Sequence, residues 1–538
     1  MATVMMDVAE AVVAVAGEID GKFVVAKSIS PILGKFRKGF PGRLSCCRGR
    51  SATTPSTIIT SGTLNFIAGT FCPPKFAYMD QSIIFDLNLI NRYDKAGPRY
   101  TSYPTALELH EGFSDSDYRW HIAKSNQAGG PLSLYFHLPF CDTVCFYCAC
   151  NKIVTKNRQH AVPYLDNLCK EIAMQGALFE RSRVVNQLHW GGGTPTFLSD
   201  TQMRRLMDIT RAHFTWRDDD GGEYSIEVDP RETHDSTIKR LRELGFNRIS
   251  LGVQDFDPRV QKAVNRLQSE AQTFSVLESA RAEGFRSTNI DLIYGLPLQT
   301  VATFSRTLDK ILAAEPDRLS VFNYAHLPAR FKTQRQIQDA ELPSPEVKLA
   351  ILQMVGLRLT EAGYVYIGMD HFAKPDDELA IAQREGKLYR NFQGYSTHSD
   401  CDLVGFGITS IGRVGDAYIQ NVKDLETYGK LLQHHKLPVF KGVDLDQDDK
   451  LRRAVITQLI CHFGLNFTAI EKEFAIDFAE YFANELDALQ RMQDDGLLAL
   501  SAQGIAVSAA GRLLIRNICM VFDRYLAQKS QQQFSKVI

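Results

Sequence analysis

Between residues 131 and 330, short apolar runs alternate with segments whose hydrophobic positions recur at helical spacing. Leu132–Leu138 (LSLYFHL) and the stretches 185–190, 224–228, 248–253, 287–294 and 318–324 read as strands, being short and rich in β-branched or aromatic residues. The intervening stretches 163–180, 201–214, 236–244, 270–283 and 301–314 read as helices; Pro163 opens the first of them, where a missing N–H costs little. Strands alternating with helices predict an α/β fold with a parallel sheet. Eight strands would close a barrel, and six are visible, so a partial (β/α)6 barrel is expected over 131–350. Each strand runs into polar or glycine-rich sequence, as in Gly191-Gly-Gly-Thr-Pro195 and Gly295-Leu-Pro297. In parallel α/β barrels, chemistry collects at those strand ends.

The pattern changes on either side. Residues 79–130 form an N-terminal segment on the substrate side, 351–440 flank the barrel, and 441–538 read as a mostly helical C-terminal domain. The last contains a hairpin around Ser501-Ala-Gln-Gly504 and a helix over 512–526, an order resembling a winged helix. That domain carries 11 Lys/Arg against 13 Asp/Glu, and phosphate neutralisation dominates DNA affinity, so no nucleic-acid partner is expected. Residues 1–78 lack clear periodicity, and from Gly21 to Tyr78 there are nine Lys or Arg and no acid. Such a segment suits a transit peptide, but Asp7, Glu10, Glu18 and Asp20 spoil its beginning. The alternative is a mis-assigned start, with Met79 the true one.

Length and charge add limits. A chain of 538 residues exceeds one ordinary core, so two or three domains are expected. Net charge is −1, and no apolar run reaches the ~18 residues of a membrane helix, so no membrane association is expected.

Eleven cysteines are placed unevenly, with four in Cys141-Asp-Thr-Val-Cys145-Phe-Tyr-Cys148-Ala-Cys150. Clustering without an export signal points to a reducing cytoplasm and to metal-ligand thiolates rather than disulfides. Cys46, Cys47, Cys72, Cys169, Cys401, Cys461 and Cys519 read as ordinary thiols. Cys141, Cys145 and Cys148, at C-x3-C-x2-C spacing, can hold three corners of a cubane iron–sulfur cluster and leave the fourth iron open. A zinc knuckle is the rival, but zinc favours two separated ligand pairs. The spacing alone leaves the role of Cys150 open.

This triplet after the first strand of an α/β chain is similar to the signature of the radical S-adenosylmethionine enzymes. Further motifs narrow the resemblance. They are Gly97-Pro-Arg-Tyr-Thr-Ser-Tyr-Pro104, His189-Trp-Gly-Gly-Gly-Thr-Pro195, Ile226-Glu-Val-Asp-Pro230, Gly252-Val-Gln-Asp-Phe256, Asn289-Ile-Asp-Leu-Ile-Tyr-Gly-Leu-Pro297 and Gly368-Met-Asp-His-Phe-Ala-Lys-Pro-Asp-Asp-Glu378. Together they resemble the oxygen-independent coproporphyrinogen III oxidases (dehydrogenases) over residues 79–538.

The resemblance implies a radical-SAM barrel with a [4Fe-4S] cluster on Cys141, Cys145 and Cys148, S-adenosylmethionine on the open iron, and Cys150 as a non-ligand. It implies two S-adenosyl-L-methionine molecules. Tyr135, Gly192, Glu227 and Ile411 match the contacts to the cluster-bound one; Tyr147, Gly193, Thr194, Gln254, Arg266, Asp291 and Ala325 match those to the second. It implies anaerobic oxidation of two propionates of coproporphyrinogen III to vinyls, a flavodoxin-like or ferredoxin-like electron donor, and a monomer. No catalytic acid, base or nucleophile is assigned. Arg99, Lys374, Arg384 and Arg390 are candidate propionate anchors, whereas His326, His371 and His398 read as structural rather than haem ligands. The alternative is a haem chaperone of the same fold. Such relatives carry Phe where this chain has Cys150, and lack the segment ending at Pro104. A plain electron-transfer protein would need all four cysteines as ligands.

Overall fold

The computed structural model describes residues 83–217 and 219–526; the expectations for 1–78 and for Cys46, Cys47 and Cys72 lie outside the described residues. Six parallel strands form the centre: β1 (Leu132–Leu138), β2 (Val184–Gly192), β3 (Glu223–Val228), β4 (Arg248–Gln254), β5 (Ser287–Tyr294) and β6 (Arg318–Asn323). Helices Ala161–Gly176, Asp200–His213, Asp235–Glu243, Glu270–Ala282 and Val301–Ala314 connect them. Two of these start on the reciprocal Ser-x-x-Gln cap, Ser199 with Gln202 and Ser269 with Gln272, which satisfies otherwise orphaned backbone donors.

The six-strand count is right for the barrel, but the sheet continues at both edges. Beyond β6 lie β7 (Val365–Gly368) and β8 (His371–Ala373), both antiparallel. Beyond β1 lie β9 (Asp402–Phe406), parallel to it, and then β10 (Ile411–Val414), β11 (Ala417–Asn421) and β12 (Val439–Asp444), all antiparallel. The flank 351–440 therefore supplies strands to both edges of one sheet, and the described residues form one compact unit.

Side chains alternate along the central strands, as a period of two requires. Phe136, Trp190 and Phe406 are fully buried and pack on one another; the Phe136 and Phe406 rings stack with centroids 4.7 Å apart. The opposite face turns polar groups inward: His189, Glu227, Ser250, Asn289, Asp291 and Ser320 line one cavity within the barrel. The buried members, Glu227, Asp291 and Ser320, carry a desolvation cost unless hydrogen-bonded or held for a ligand.

The C-terminal region holds the expected hairpin, Leu498–Ser501 with Gly504–Val507, joined by a third strand, Gly464–Asn466. The helix expected over 512–526 is shorter, Ile515–Val521. The N-terminal segment is clamped against this region. Tyr100 donates to Asp523 Oδ2 at 2.9 Å, and the Arg516 guanidinium donates to the Pro98 carbonyl at 2.9 Å. No described helix is long and apolar enough to cross a membrane.

Candidate active site

The cysteine loop leaves β1 through Pro139 and is stitched at both ends. Phe140–Cys141 pairs with Ile153–Val154, and the Ile153 N–H donates to the Pro139 carbonyl at 2.8 Å. Its middle is held from a different βα loop: the Phe146 N–H donates to the Val264 carbonyl at 3.0 Å, and Asn265 donates to the Val144 carbonyl at 2.7 Å. Such backbone anchoring fixes where the thiols point before any ligand arrives.

All eight described cysteines are free, and the four of the loop are buried. Cationic and hydroxyl donors face two of the three expected ligands. Arg266 Nη1 lies 3.6 Å and Arg231 Nη2 3.7 Å from Cys145 Sγ, and Thr194 Oγ1 lies 3.8 Å from Cys141 Sγ. Burial pushes the Cys141 thiol up to about 12. Contact between the two buried thiols pulls Cys148 down and pushes Cys150 up, so the pair favours sharing one negative charge over carrying two. Among the described residues, the one trio of potential ligand atoms within 4.8 Å of each other is His398, Asp400 and Cys401, so the loop thiols stand too widely for one small ion. Three spread, cation-flanked thiols fit a [4Fe-4S] cluster.

Both arginines share one carboxylate. Asp229, at the end of β3, accepts from Arg231 at 2.6 Å and from Arg266 at 3.0 Å. Burial opposes its ionisation, yet Arg266 and Arg231 hold the carboxyl down at about 2. The trio Asp229, Arg231 and Arg266 therefore stays charged beside Cys145. The sequence reading missed Asp229 and Arg231, although Val228-Asp-Pro-Arg231 marks a strand end with an acid and a base.

Of the residues matched to a cluster-bound S-adenosylmethionine, three converge directly. The Gly192 N–H donates to Glu227 Oε2 at 3.2 Å, His189 Nε2 lies 3.4 Å from the same carboxylate, and the Tyr135 ring stacks on His189 at 5.9 Å. Ile411 arrives from β10. Gly405, opposite Tyr135 in β9, makes this possible: a Cβ there would stand 3.2 Å from the Ile411 carbonyl carbon. The glycines at 191–193 are already needed by the protein's own packing. A Cβ on Gly192 would stand 2.7 Å from the His137 ring, and one on Gly193 2.6 Å from the Phe140 carbonyl oxygen.

Of the second set, Thr194 and Arg266 reach the loop's own thiols, at Cys141 and Cys145. Tyr147 packs with Val264, Ile293, Phe322 and Tyr324. Its carbonyl and that of Ala325 both accept from Gln334 Nε2, at 3.0 and 3.2 Å, a bridge with no signal in the local sequence. Arg266 Nη2 donates to the Gly252 carbonyl. Two residues on, Gln254 is buried at φ 70°, a conformation costly for a side-chain-bearing residue, and its Oε1 has no hydrogen-bond partner. An orphaned acceptor in a strained strand end fits a ligand donor. Asp291 accepts from Asn289 at 2.8 Å and faces the barrel cavity.

The four candidate anchors divide. Arg99 is buried in an ion pair with Asp370. Lys374 stands 3.6 Å from Asp317, and the Arg384 guanidinium donates to the Pro375 carbonyl on an exposed side. Arg390 differs: it is buried over the Tyr395 ring, and its Nε and Nη1 have no hydrogen-bond partner. Burial, then Arg390, pushes the neighbouring His371 imidazole down to about 3, so it is neutral. His326 is held by Tyr324 and Asp339.

Fold and site together define a radical S-adenosylmethionine protein, and residues 135–311 match the family model described as the Radical SAM superfamily. Residues 445–514 match the HemN C-terminal domain. Over 460 residues the chain is 55% identical to the oxygen-independent coproporphyrinogen III oxidase of Pseudomonas aeruginosa, covering 86% of this chain and all of that one. It is 53% identical to the enzyme of that name from Escherichia coli over 459 residues, 85% of this chain and 99% of that one. The solved structure of the Escherichia coli coproporphyrinogen III oxidase superposes with a TM-score of 0.79 at 51% identity, covering 83% of this chain and 100% of that one. The chain belongs to the oxygen-independent coproporphyrinogen III oxidases.

Proposed function

We propose that the protein catalyses the anaerobic oxidative decarboxylation of two propionates of coproporphyrinogen III to vinyl groups, giving protoporphyrinogen IX in haem biosynthesis. The observation that carries this reading is the buried, cation-flanked thiol trio in the loop after the first barrel strand, in a chain 53–55% identical to oxidases of that name. When bound, a [4Fe-4S] cluster and S-adenosylmethionine would supply a 5′-deoxyadenosyl radical; removal of a hydrogen atom from a propionate β-carbon, release of CO2 and transfer of one electron to a one-electron acceptor would leave the alkene.

The chain's residues have distinct tasks in this scheme. Cys141, Cys145 and Cys148 hold the cluster, and Cys150 stands beside Cys148 without ligating iron. Arg266 and Arg231 place positive charge beside the Cys145 sulfur and so favour the reduced cluster. Tyr135, Gly192, Glu227 and Ile411 hold the cluster-bound S-adenosylmethionine. Tyr147, Gly193, Thr194, Gln254, Arg266, Asp291 and Ala325 hold a second. The buried guanidinium of Arg390 takes a substrate carboxylate, a charge-assisted pairing that its two orphaned donors support.

The electron enters from a flavodoxin-like or ferredoxin-like protein over the cysteine loop. Leu267 is 65% exposed, one residue from the buried Arg266 that touches Cys145, so the chain passes there from thiol to solvent. The free thiols suit a reducing cytoplasm, where the protein acts as a monomer.

The test is anaerobic incubation of the reconstituted protein with coproporphyrinogen III, S-adenosylmethionine and a reductant. The expected result is protoporphyrinogen IX with consumption of S-adenosylmethionine. Cleavage of S-adenosylmethionine without vinyl formation would instead indicate a chaperone, and no cleavage an electron-transfer protein.

A further inference from the structure

Outside the barrel mouth, one other group of ligand-type side chains converges among the described residues. His398, Asp400 and Cys401 lie in the loop leading into β9, and one donor atom from each falls within 4.8 Å of the other two. His398 Nδ1 and Cys401 Sγ each stand 4.0 Å from Asp400 Oδ1. A nitrogen, an oxygen and a sulfur at that spacing are the donor set and the dimensions of a small tetrahedral ion, with the fourth position left for water.

Three features separate this group from a chance meeting of neighbours in sequence. The first is what stands behind the imidazole. Its Nε2 lies 3.9 Å from the partly buried Glu223 carboxylate, while Nδ1 faces the trio. A carboxylate behind the imidazole, beyond hydrogen-bond reach, still favours a positive ion on the ring's other side.

The second is how the backbone is held. Arg413 Nη2 donates to the Cys401 carbonyl at 2.7 Å and to that of Ser399 at 3.4 Å. The Thr397 hydroxyl donates to Glu223 at 2.9 Å, the His398 N–H to Ser396 Oγ at 3.1 Å, and the Asp402 N–H to the Pro131 carbonyl at 3.2 Å. The loop is therefore fixed with the three donors already gathered, which lowers the entropy cost of binding. Both terminal nitrogens of Arg413 are committed, to those carbonyls and to the Tyr389 hydroxyl.

The third is an orphaned polar group. His398 and Cys401 line a small cavity together with Ser133 of β1. Ser133 is 2% exposed, and its hydroxyl has no hydrogen-bond partner. A water on the open position of a bound ion would give that hydroxyl one. Access is from the Asp400 side, whose carboxylate is exposed, while Cys401 is buried.

We propose that His398, Asp400 and Cys401 form a zinc site, separate from the cysteine loop, that ties the strand entering beside β1 to the barrel wall at Glu223. Mixed imidazole, carboxylate and thiolate donors favour Zn²⁺ over the hard ions Mg²⁺ and Ca²⁺. The site takes no part in the radical chemistry, and it does not depend on the substrate proposed above.

The test uses the cluster-loaded protein, equilibrated with buffered zinc and then desalted. Elemental analysis is expected to give one zinc per chain besides the cluster iron. The zinc-edge X-ray absorption spectrum is expected to show one sulfur at about 2.3 Å and otherwise only nitrogen or oxygen neighbours. Cys401→Ser and His398→Gln should each weaken zinc binding about tenfold or more while the iron content stays unchanged. Zinc absent from the wild-type protein, zinc retained equally in both variants, or a zinc shell of several sulfurs, which would place the ion in the cysteine loop, would each overturn the proposal.

Discussion

Arg266 donates to the Cys145 sulfur at 3.6 Å from a fully buried position. A guanidinium beside a thiolate stabilises added negative charge, and the cluster becomes more negative on reduction. Replacing it with an uncharged residue of similar length should leave the three thiols in place and make the reduced state harder to reach. Arg266→Met is expected to retain iron but lower the midpoint potential by about 60 mV or more, a tenfold change in the one-electron equilibrium. Redox titration followed by electron paramagnetic resonance reads this directly. An unchanged potential would remove Arg266 from the tuning of the cluster.

Cys148 and Cys150 differ by two residues and by role. On the proposed assignment Cys150 stands beside the ligand Cys148 rather than in the ligand set. Cys150→Ser should keep the iron and sulfide content of the parent, because no iron ligand is removed. Cys148→Ser should lose most of both. Equal loss in the two variants would require Cys150 to be a ligand.

Arg390 predicts a binding effect. Hydrogen bonds to charged groups contribute about 1.5–3 kcal/mol, so Arg390→Ala should raise KM for the porphyrinogen roughly tenfold to a hundredfold. If the carboxylate it holds is the same in ground and transition states, kcat should change little. Arg384→Ala, whose guanidinium faces solvent and the Pro375 carbonyl, should leave both parameters as they were. Steady-state kinetics on the two variants decides it.

The core contains a carboxyl with a pH signature. Glu171 is fully buried, and burial raises it to about 7 despite hydrogen bonds from Tyr428, Gly407, Asn421 and Gln175. A folded value above the unfolded one of about 4.3 means that the native state holds its proton more tightly. The resulting stability is fully present below about pH 4.3 and is lost as pH rises through about 7, a change on the order of 3 kcal/mol. Glu171→Gln has no proton to lose, so its denaturation midpoint relative to the parent should rise between pH 5 and pH 8. A constant difference across that range would contradict the shift.

The sequence located the catalytic half of the molecule because its signals are local. Strand Ser287–Tyr294 and helix Val301–Ala314 stand where the pattern put them, separated by the cap at Thr300. The cysteine triplet is local too. The edges of the sheet were not legible, because β9 finds β1 across more than 260 residues and nothing within Asp402–Phe406 names its neighbour. The C-terminal helix came out shorter than its pattern, since Gly511 packs against the Leu497 carbonyl and the chain turns there until Ile515. Asp229, Arg231 and Gln334 were missed for a related reason. Each acts on a partner from another loop, and only the fold brings them together. Among the four candidate anchors, only burial and orphaned donors set Arg390 apart.

The central claim is hydrogen removal from a substrate propionate by a radical generated at the open site of the three-cysteine cluster. It is tested most directly with coproporphyrinogen III deuterated at the propionate β-carbons, turned over anaerobically with S-adenosylmethionine and reductant. The account predicts deuterium in the 5′-deoxyadenosine released and vinyl groups in the product, with both lost in Cys145→Ser. Vinyl formation with unlabelled 5′-deoxyadenosine, or 5′-deoxyadenosine formed without any vinyl product, would contradict it.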